Sequence, residues 1–572
     1  MFAAGNLGAI ALDEVLVDAE SAICPACLIV SAKGCYRQES ANAKRREGTI
    51  RIAVRVCRMD KAASRSFAYR AKPLWVEVSR ATTRISNRSN NDIVFTMYFR
   101  PKRHVRSVVV VAYWLCAASS QLADAQNTQA YRAVARDIFR ELIETNTTAS
   151  VGDNTRAAEL MAVRFRAAGF PQEDVQVLAP APRKGNLIVR LRGGSQKPVL
   201  WLAHLDVVEA RKEDWSVDPF QFVERNEYFY GRGAYDNKAG AAILVSTFLR
   251  LKQEGYEPDR DLILALTADE EAGGEASGQH NGVQWLLSNH RHLIEAEYCI
   301  NSDSGDGQMR NRKRILSPVQ AGEKGFMNIT LQVRNAGGHS SVPRRDNAIY
   351  RLSEALTRLA AYDFPVRLNP VTRMYFERMS MTEVGSSGAD MRSLLRDSSN
   401  ADAIKRLATV PFYNAMMRTT CVATQLEGGH ASNALPQHAR AVINCRLLPN
   451  ESPEEVIRTV RAVIADDAVE VTPSSQPETG SLSPVPPELL HAAETIAAEI
   501  WPGVPVTPLM EVGGTDGSYL RAAGIPTYGI SGLFDDIDDN RQHGKDERIA
   551  VAVFYDGLDF HYRLAKALTR RH

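Results

Sequence analysis

Residues 262–271 read LILALTADEE, five apolar residues followed within two positions by three consecutive acids. A short apolar run of this kind is typical of a buried strand. The runs at 186–191, 199–203 and 298–300 have the same character, and helical periodicity occupies intervening segments such as 238–251. Because strands that are covered on both faces are apolar throughout, this alternation predicts an α/β sheet with helices on both faces.

The pattern changes beyond Gly322. Apolar and polar residues alternate at 327–333, as they do in a half-exposed strand. Helical spacing follows at 348–361 and again at 453–464, and a further strand is predicted at 439–447. These elements predict a second module of the α+β class.

A stretch rich in Ser and Pro at 472–486 leads back to the first pattern, with a helix at 487–500 and a strand at 527–531. The economical interpretation is one α/β domain with a mixed sheet, interrupted by an inserted α+β domain. The predicted bounds are 126–321 for the first part of the α/β domain, 322–476 for the inserted domain and 477–572 for the second part.

The start of the chain has a different composition. Residues 1–96 are rich in Arg and show no sustained period, so we interpret them as a gene-model extension or a disordered basic arm. After Met97, basic residues precede an apolar run at 108–118, and Ala-Asp-Ala follows at 123–125. This order predicts a secretory signal peptide at 97–125 and a periplasmic or secreted protein. The alternative is a translated extension that carries an internal apolar segment.

Charge and cysteine content narrow the class of protein. The formal net charge of +2 over 572 residues favours neither a nucleic-acid-binding nor a polyanion-binding protein. No apolar run is long enough for an integral membrane domain. Cys24 and Cys27 have the spacing of a metal knuckle, but no second pair follows at zinc-finger spacing. The later cysteines, Cys299, Cys421 and Cys445, predict no disulfide framework.

Chemically active side chains follow the predicted strands, and open α/β sheets form their sites at such positions. His204 and Asp206 close the strand at 199–203, and residues two apart on a strand share a face. Asp206 could therefore orient a metal-bound His204, although a lone strand-end histidine is more often a hydrogen-bonded structural group. Asp236 lies at a helix entry, where it could cap the helix or bridge two metal ions.

Three acids at 269–271 directly follow another predicted strand. They repel one another unless they are solvated or cations are present. In the functional interpretation one carboxylate binds a metal and its neighbour takes a proton from water. Asp303 follows the strand at 298–300, and His543 lies in a polar loop near the C-terminal end.

Taken together, the motifs supply two imidazoles and three carboxylates, namely His204, Asp236, Glu271, Asp303 and His543. Two ions that share one carboxylate would each receive three protein ligands and keep room for a shared water. Mixed nitrogen and oxygen ligands suit zinc, with cobalt or manganese as alternatives. We therefore predict a site for two zinc ions.

The order of these motifs resembles the metallopeptidase family that contains carboxypeptidase G, aminoacylase and succinyl-diaminopimelate desuccinylase. The resemblance covers about residues 127–572 and implies a zinc-exopeptidase-type catalytic domain interrupted by a smaller dimerisation (lid) domain. It implies that His204 and Asp303 bind one metal and that Glu271 and His543 bind the other. Asp236 would bridge the two metals.

The same resemblance implies roles for residues that bind no metal. Glu270 would be the general base that activates the bridging water, Asp206 would orient His204, and a cis peptide would follow Asp236.

In the inserted domain, the resemblance assigns His339 to the oxyanion in the active site of a partner subunit. Asn433 and Arg446 would bind the substrate carboxylate or backbone, and Gly514 would lie in a loop that faces the carboxylate. Taken without the resemblance, His339 would be a strand-end turn residue and Arg446 a surface ion-pair partner.

Two features depart from the family pattern. Asp303 lies in NSDSGDG, where many relatives have Glu-Gly, so Asp306 is a competing ligand. The polar stretch at 381–418 is longer than in the smallest members and could shape the substrate pocket.

These expectations combine into a metal-dependent hydrolase that cleaves a peptide or N-acyl amide bond next to a free C-terminal carboxylate. The predicted secretion favours a carboxypeptidase or dipeptidase over the alternative, an N-acyl-amino-acid deacylase. A non-catalytic peptide-binding relative is a further alternative. The resemblance also implies a homodimer that takes a small peptide or N-acyl amino acid. Only the basic N-terminal arm would support a nucleic-acid or membrane-surface protein.

Overall fold

The structure is a computed structural model that describes residues 29–32, 49–55, 73–79, 82–85, 95–98, 128–272, 281–383 and 385–570. The chain divides into two compact units, Met1–Ala130 and Tyr131–His572. In the first unit three strands form one antiparallel sheet and two form another: β1 (Ile29–Ala32), β2 (Thr49–Arg55) and β3 (Pro73–Ser79), then β4 (Thr82–Ile85) and β5 (Phe95–Tyr98).

The Cys24–Cys27 pair and nearly all of the predicted signal peptide lie outside the described residues. The interpretation of residues 1–96 as an extension or arm stays a prediction.

Fourteen α-helices lie among the described residues from 128 onward, the first of them α1 (residues 128–144). The others are α2 (Asn154–Ala167), α3 (Lys238–Gln253), α4 (Gly282–Asn289), α5 (Arg291–Ile294), α6 (Ala348–Ala360), α7 (Pro370–Thr382), α8 (Ser386–Arg396), α9 (Ala401–Leu407), α10 (Pro411–Met417), α11 (Pro453–Ile464), α12 (Pro487–Ile500), α13 (Gly517–Ala522) and α14 (Val551–Leu568). Within the described part of the chain, none is both long and apolar enough to cross a membrane.

Twenty strands belong to the described part of the second unit. They are β6 (Val175–Leu178), β7 (Asn186–Leu191), β8 (Gln196–His204), β9 (Val223–Arg225), β10 (Tyr228–Tyr230), β11 (Arg260–Thr267), β12 (Tyr298–Asn301), β13 (Gly307–Arg310), β14 (Lys313–Glu323), β15 (Gly325–Arg334), β16 (Gly338–His339), β17 (Thr420–Gly428), β18 (Ala434–Leu435), β19 (His438–Leu447), β20 (Val469–Pro473), β21 (Ser481–Leu482), β22 (Val506–Glu511), β23 (Thr527–Gly529), β24 (Phe534–Asp536) and β25 (Arg548–Ala550). The strands predicted from apolar runs and alternation all fall within or overlap these elements.

Eleven of these strands form the main sheet, in the order β24-β13-β14-β23-β12-β8-β11-β7-β6 with β21 and β22 beside β14. At its centre β11, β8, β12 and β23 run parallel, whereas β7 is antiparallel to β11. The sheet is therefore mixed, as predicted.

Both faces of the central strands are buried. In β8, Val199 and Trp201 belong to one apolar core, whereas Leu200 and Leu202 belong to another. Successive strand residues point to opposite faces, so the two cores lie on the two faces of the sheet. Helices α3 and α14 contribute to the first core, and α4 and α13 to the second. This arrangement confirms the predicted α/β class.

The inserted domain has a sheet of its own, in the order β17-β19-β15-β20, and a separate two-stranded ribbon of β16 and β18. Its apolar core draws on the sheet and on α6 and α11. The chain enters this sheet directly from the main one, because β14 ends at Glu323 and β15 begins at Gly325.

The polar stretch at 381–418, which could shape the substrate pocket, forms part of a helical segment, α7 to α10. Its apolar side chains share a core with Leu316 of β14 and Leu509 of β22. The segment therefore packs on the main sheet, although it lies inside the predicted inserted range of 322–476.

A disulfide joins Cys421 and Cys445, which lie directly opposite each other on β17 and β19. The expectation that the late cysteines form no disulfide was wrong for this pair. Their separation of 24 residues gives no indication of pairing, since only the register of the sheet brings them together. Cys299 is buried and free.

Replacing both Cys421 and Cys445 with Ser should lower the free energy of unfolding of the inserted domain by about 3 kcal/mol, because the crosslink restricts the unfolded chain. Urea unfolding followed by circular dichroism measures this loss. Reductant should destabilise the wild type by a similar amount and leave the double variant unchanged. If reductant left the unfolding midpoint of the wild type unchanged, this would contradict the assignment of the Cys421–Cys445 disulfide.

Candidate metal centre

The centre forms where three parallel strands end. His204 is the last residue of β8, while Thr267 and Asn301 end β11 and β12. Because parallel strands present their carboxyl ends at one edge, the acids after β11 and β12 come close to His204.

A small sheet of β9, β10 and β25 supplies the rest of the centre. The segment that carries Asp236 follows β10, and the loop that carries His543 precedes β25. Because β10 and β25 pair antiparallel, these two segments meet beside the main sheet.

The five predicted metal ligands form two groups that share one residue. His204, Asp236 and Asp303 form the first, and Asp236, Glu271 and His543 form the second; the donor atoms of each lie within 4.8 Å of one another.

The two carboxylate oxygens of Asp236 face different imidazoles. Oδ1 lies 2.9 Å from His204 Nε2, and Oδ2 lies 3.1 Å from His543 Nε2. Asp303 Oδ1 is 3.2 Å from His204 Nε2, and Glu271 Oε1 is 2.7 Å from His543 Nε2. This geometry suits a carboxylate that bridges two cations.

The charges of the cluster demand positive partners. Although burial opposes it, the charge of Asp303 and hydrogen bonds to Asp206 and Asp236 raise the pKa of His204 well above its usual range. Hydrogen bonds to Asp236 and Glu271 raise the pKa of His543 to about 10. Two divalent cations at this position would offset the carboxylate charges that act on both imidazoles. The mixed nitrogen and oxygen donors fit this role.

Asp206 acts on the acidic loop after β11. Its Oδ1 accepts a hydrogen bond from the Glu270 amide at 3.1 Å, and its Oδ2 accepts one from the Glu271 amide at 2.9 Å. The contact to His204 Nδ1 is made by the main-chain oxygen of Asp206 at 3.0 Å, with the carboxylate at 3.6 Å. Asp206 therefore fixes the backbone of Glu271, a predicted ligand, and of Glu270, the predicted base.

Glu270 is held beside the ligands. Burial, and then the negative charge of Asp303, raise the pKa of its carboxyl well above the usual range. Asp269 before it has a φ of 62° and an ion pair with Lys184 at 2.5 Å. The turn at Asp269 separates β11 from Glu270 and Glu271.

The peptide bond between Asp236 and Asn237 is cis, as the family resemblance implied. Asn237 is tied to the segment of Asp303, since its Nδ2 donates to the oxygen of Ser302 at 3.0 Å and its Oδ1 accepts from Ser302 Oγ at 3.0 Å.

Glu547 is a site residue that sequence reasoning missed. Its carboxylate accepts hydrogen bonds from the amides of Gly233, Tyr235 and Asp236 at 3.1, 2.8 and 3.0 Å. It also pairs with Arg232 at 2.5 Å, and both side chains are buried. Glu547 stands four residues after His543, but nothing in its spacing shows that it binds the amides of the loop that carries Asp236.

Asp306, the competing ligand, lies in neither group. Burial raises the pKa of its carboxyl to about 7, and its Oδ2 accepts a hydrogen bond from Gln542 Nε2 at 3.3 Å. Asp303 is thus the member of this segment that reaches the cluster.

A cavity of about 410 Å³ lies beside the cluster and has Asp303 in its wall. Gly514, predicted to face the substrate, lines it together with Asp306 and Leu509. Phe412 of α10 also lines it, so the helical segment contributes to this pocket.

The remaining predicted residues lie in the inserted domain. His339 and Asn433 are exposed neighbours at the β16–β18 ribbon, where the Ser340 amide donates to the Asn433 oxygen at 3.0 Å. Arg446 is on β19, half-buried, with its guanidinium 5.0 Å from the centre of the Phe326 ring. The structure thus brings the predicted metal ligands, Asp206 and Glu270 together at the edge of the main sheet. His339, Asn433 and Arg446 lie in the inserted domain.

A mixed sheet, an inserted domain and two ligand groups at the strand ends define a class of two-domain hydrolases. The model of Peptidase family M20/M25/M40 matches residues 200–567, and the chain belongs to this family. This membership confirms the resemblance and makes the protein a hydrolase of peptide or N-acyl amino acid bonds.

Two relatives show how this family varies. The chain is 28% identical over 375 residues to the mouse N-fatty-acyl-amino acid synthase/hydrolase PM20D1, covering 64% of this chain and 73% of that protein. It is 25% identical over 461 residues to aminoacylase-1 of Pongo abelii, covering 75% and 94%.

Among solved structures, the M20 family metallo-carboxypeptidase Sso-CP2 from Sulfolobus solfataricus shares the fold. Its TM-score is 0.57 at 17% identity, over 76% of this chain and 98% of that one.

Glu547→Gln should weaken metal binding by about 10- to 100-fold, because groups that orient ligands tune affinity by that factor. Calorimetric titration with Zn²⁺ measures the change. The matched control is Glu224→Gln, which alters an exposed carboxylate paired with Arg136. Equal affinities in both variants would show that Glu547 does not support Asp236.

Proposed function

We propose that the protein is a two-metal exopeptidase that cleaves the amide bond next to a free C-terminal carboxylate. The observation that supports this most is the pair of ligand groups that share Asp236 through different oxygens, with Glu270 alongside.

Zinc is the proposed metal, with cobalt or manganese as alternatives, since two imidazoles and three carboxylates form a mixed donor set. His204 and Asp303 would hold one ion, Glu271 and His543 the other, and Asp236 both. When bound, the ions would polarise the scissile carbonyl and acidify water.

The acid–base work falls to Glu270. As a carboxylate it takes a proton from the attacking water and passes it to the leaving amine. Asp206 keeps it in position through the amides of residues 270 and 271. Glu270 is partly buried, and reduced contact with bulk water strengthens its electrostatic interactions.

The carboxylate of the substrate would bind Arg446, Asn433 and the loop of Gly514. Burial lowers the pKa of Arg446, but a guanidinium remains charged at neutral pH. His339 would donate to the developing oxyanion from a partner subunit. These roles rest on the family resemblance and on the position of Gly514 at the cavity.

A second candidate is hydrolysis of N-acyl amino acids. The match to the mouse N-fatty-acyl-amino acid synthase/hydrolase favours it. Both activities would use the same proposed metal centre and a substrate with a free carboxylate. The part of the cavity that binds the acyl group of the substrate would therefore decide which activity is favoured.

We also propose a homodimer formed by the inserted domains. Strand β17 is an edge strand, and its Val422 and Leu426 side chains are 60% and 65% exposed. An open edge that carries large apolar residues readily pairs with another chain. Such a pairing would let His339 reach a second metal centre.

A location outside the cytoplasm is proposed as well. The Cys421–Cys445 disulfide supports it, because disulfides persist mainly in oxidising compartments.

The function is tested by incubating the metal-loaded protein with a mixed pool of dipeptides and N-acyl amino acids. Mass spectrometry should detect release of the C-terminal amino acid, and chelator should stop it. The relative rates decide between peptidase and deacylase. No release from any member, with two metals bound per chain, would refute the proposed activity.

Glu270→Gln should reduce kcat by about 10²- to 10⁴-fold while metal stays bound, because an amide cannot take the proton. Glu271→Gln is the comparison, since it should lose metal from the second group. Metal analysis and steady-state kinetics on both variants distinguish base from ligand. Near-normal turnover of Glu270→Gln would refute its role.

Replacing Val422 and Leu426 together with Lys should dissociate the dimer, because two charges would have to be buried at the edge. Analytical ultracentrifugation measures the change in mass. The control is Val163→Lys, an exposed apolar residue on α2. A wild type that sediments as a monomer would contradict the proposed dimer.

A further inference from the structure

Glu323 is a buried carboxylate at the connection between the two domains. It ends β14, its side chain is 1% exposed, and the inserted sheet begins two residues later. A buried charge is costly unless it is paired and hydrogen-bonded. Glu323 meets both conditions, because Arg521 Nη1 of α13 lies 2.6 Å from its Oε1.

Arg521 is fixed in turn by the main sheet. Its Nη2 donates to Gln320 Oε1 at 2.6 Å and to the oxygen of Thr527 at 2.9 Å. Gln320 belongs to β14 and Thr527 begins β23. Arg521 is therefore held by β14 and β23, and the ion pair has little freedom to move.

The Glu323 carboxylate also holds the loop that lines the cavity. Its Oε2 accepts a hydrogen bond from the Thr515 amide at 2.9 Å, and its Oε1 accepts one from Thr515 Oγ1 at 2.8 Å. A Cβ atom on Gly517 would lie 3.1 Å from Glu323 Oε1, so the loop fits tightly around this side chain.

The loop is linked to the metal centre from its other side. Asn301 Nδ2 donates to Thr515 Oγ1 at 3.3 Å, and Asn301 Oδ1 accepts from the amide of Asp303 at 3.0 Å. Thr515 thus lies between the domain connection and a proposed metal ligand.

We propose that Glu323 is a positioning residue for the substrate carboxylate, which it serves by anchoring the Gly513–Thr515 loop to the connection between the domains. The inference rests on the proposed function and names a residue that touches no substrate. Two consecutive glycines give the loop large conformational freedom. Anchoring the next residue at two atoms orders the loop before substrate binds, which spares that entropy cost on binding.

The proposal predicts a selective loss of binding. Without the anchor, KM for a substrate with a free carboxylate should rise about tenfold with kcat little changed, as expected when uniform binding is lost. The inhibition constant of the matching C-terminal carboxamide, which lacks the charge, should change far less.

Two variants carry the test. Glu323→Gln removes the charge, and Thr515→Val removes one anchoring hydroxyl without leaving Arg521 unpaired. The matched control is Lys324→Met, which alters the next residue at the same connection. Lys324 Nζ donates to the oxygens of Ala415 and Arg418 at 3.1 and 2.8 Å, and to neither end of the loop.

Hydrogen–deuterium exchange gives a readout that needs no turnover. The segment 512–518 should exchange faster in Glu323→Gln and Thr515→Val than in the wild type or Lys324→Met. If Glu323→Gln fails to fold, Thr515→Val decides alone.

The proposal would be overturned if both variants matched the wild type in two measurements. These are the exchange rate of segment 512–518 and the ratio of KM to the inhibition constant of the carboxamide. Loss of bound metal and kcat with an unchanged ratio would also overturn it. A wild type that releases no amino acid refutes the proposed function instead, and exchange then still tests the anchoring role.

Discussion

Mutual repulsion among carboxylates at one edge of the main sheet is the constraint on which the rest of the structure depends. Asp236, Glu270, Glu271 and Asp303 belong to one cluster, and their side chains are partly buried. Bound cations would relieve the repulsion among these acids. Neighbouring side chains also hold in place the loops that carry the acids. Asp206 and Glu547 do this by accepting hydrogen bonds from backbone amides of the loops that carry the ligands.

Sequence reasoning works well where the physical rule is local. Burial on both faces makes a central strand apolar throughout, so strands such as β8 and β11 could be predicted from short runs. Ligands at their ends follow from the way parallel strands align. Spacing alone could not divide the five predicted ligands into two groups, because the shared position of Asp236 follows from contacts between segments up to 307 residues apart.

What the sequence could not reveal depends on pairing between distant segments. Cys421 and Cys445 meet through strand register, Glu547 reaches the Asp236 loop through the pairing of β10 with β25, and Arg521 finds Glu323 across 198 residues. None of these partners stands in a motif. Likewise, the sequence shows residues 381–418 only as a polar stretch, and nothing in it indicates that α7 to α10 pack on the main sheet.

The position of α7 to α10 affects how the two domains can move. A simple insertion joins its host by two connections and can swing about the line between them. Here the chain crosses between the domains four times. It passes to the inserted sheet at Glu323, returns to the main sheet at α7, enters the inserted sheet again at β17 and returns to the main sheet after β20. Any movement of one domain relative to the other must therefore flex four connections together, which favours small shearing displacements over a wide hinge rotation.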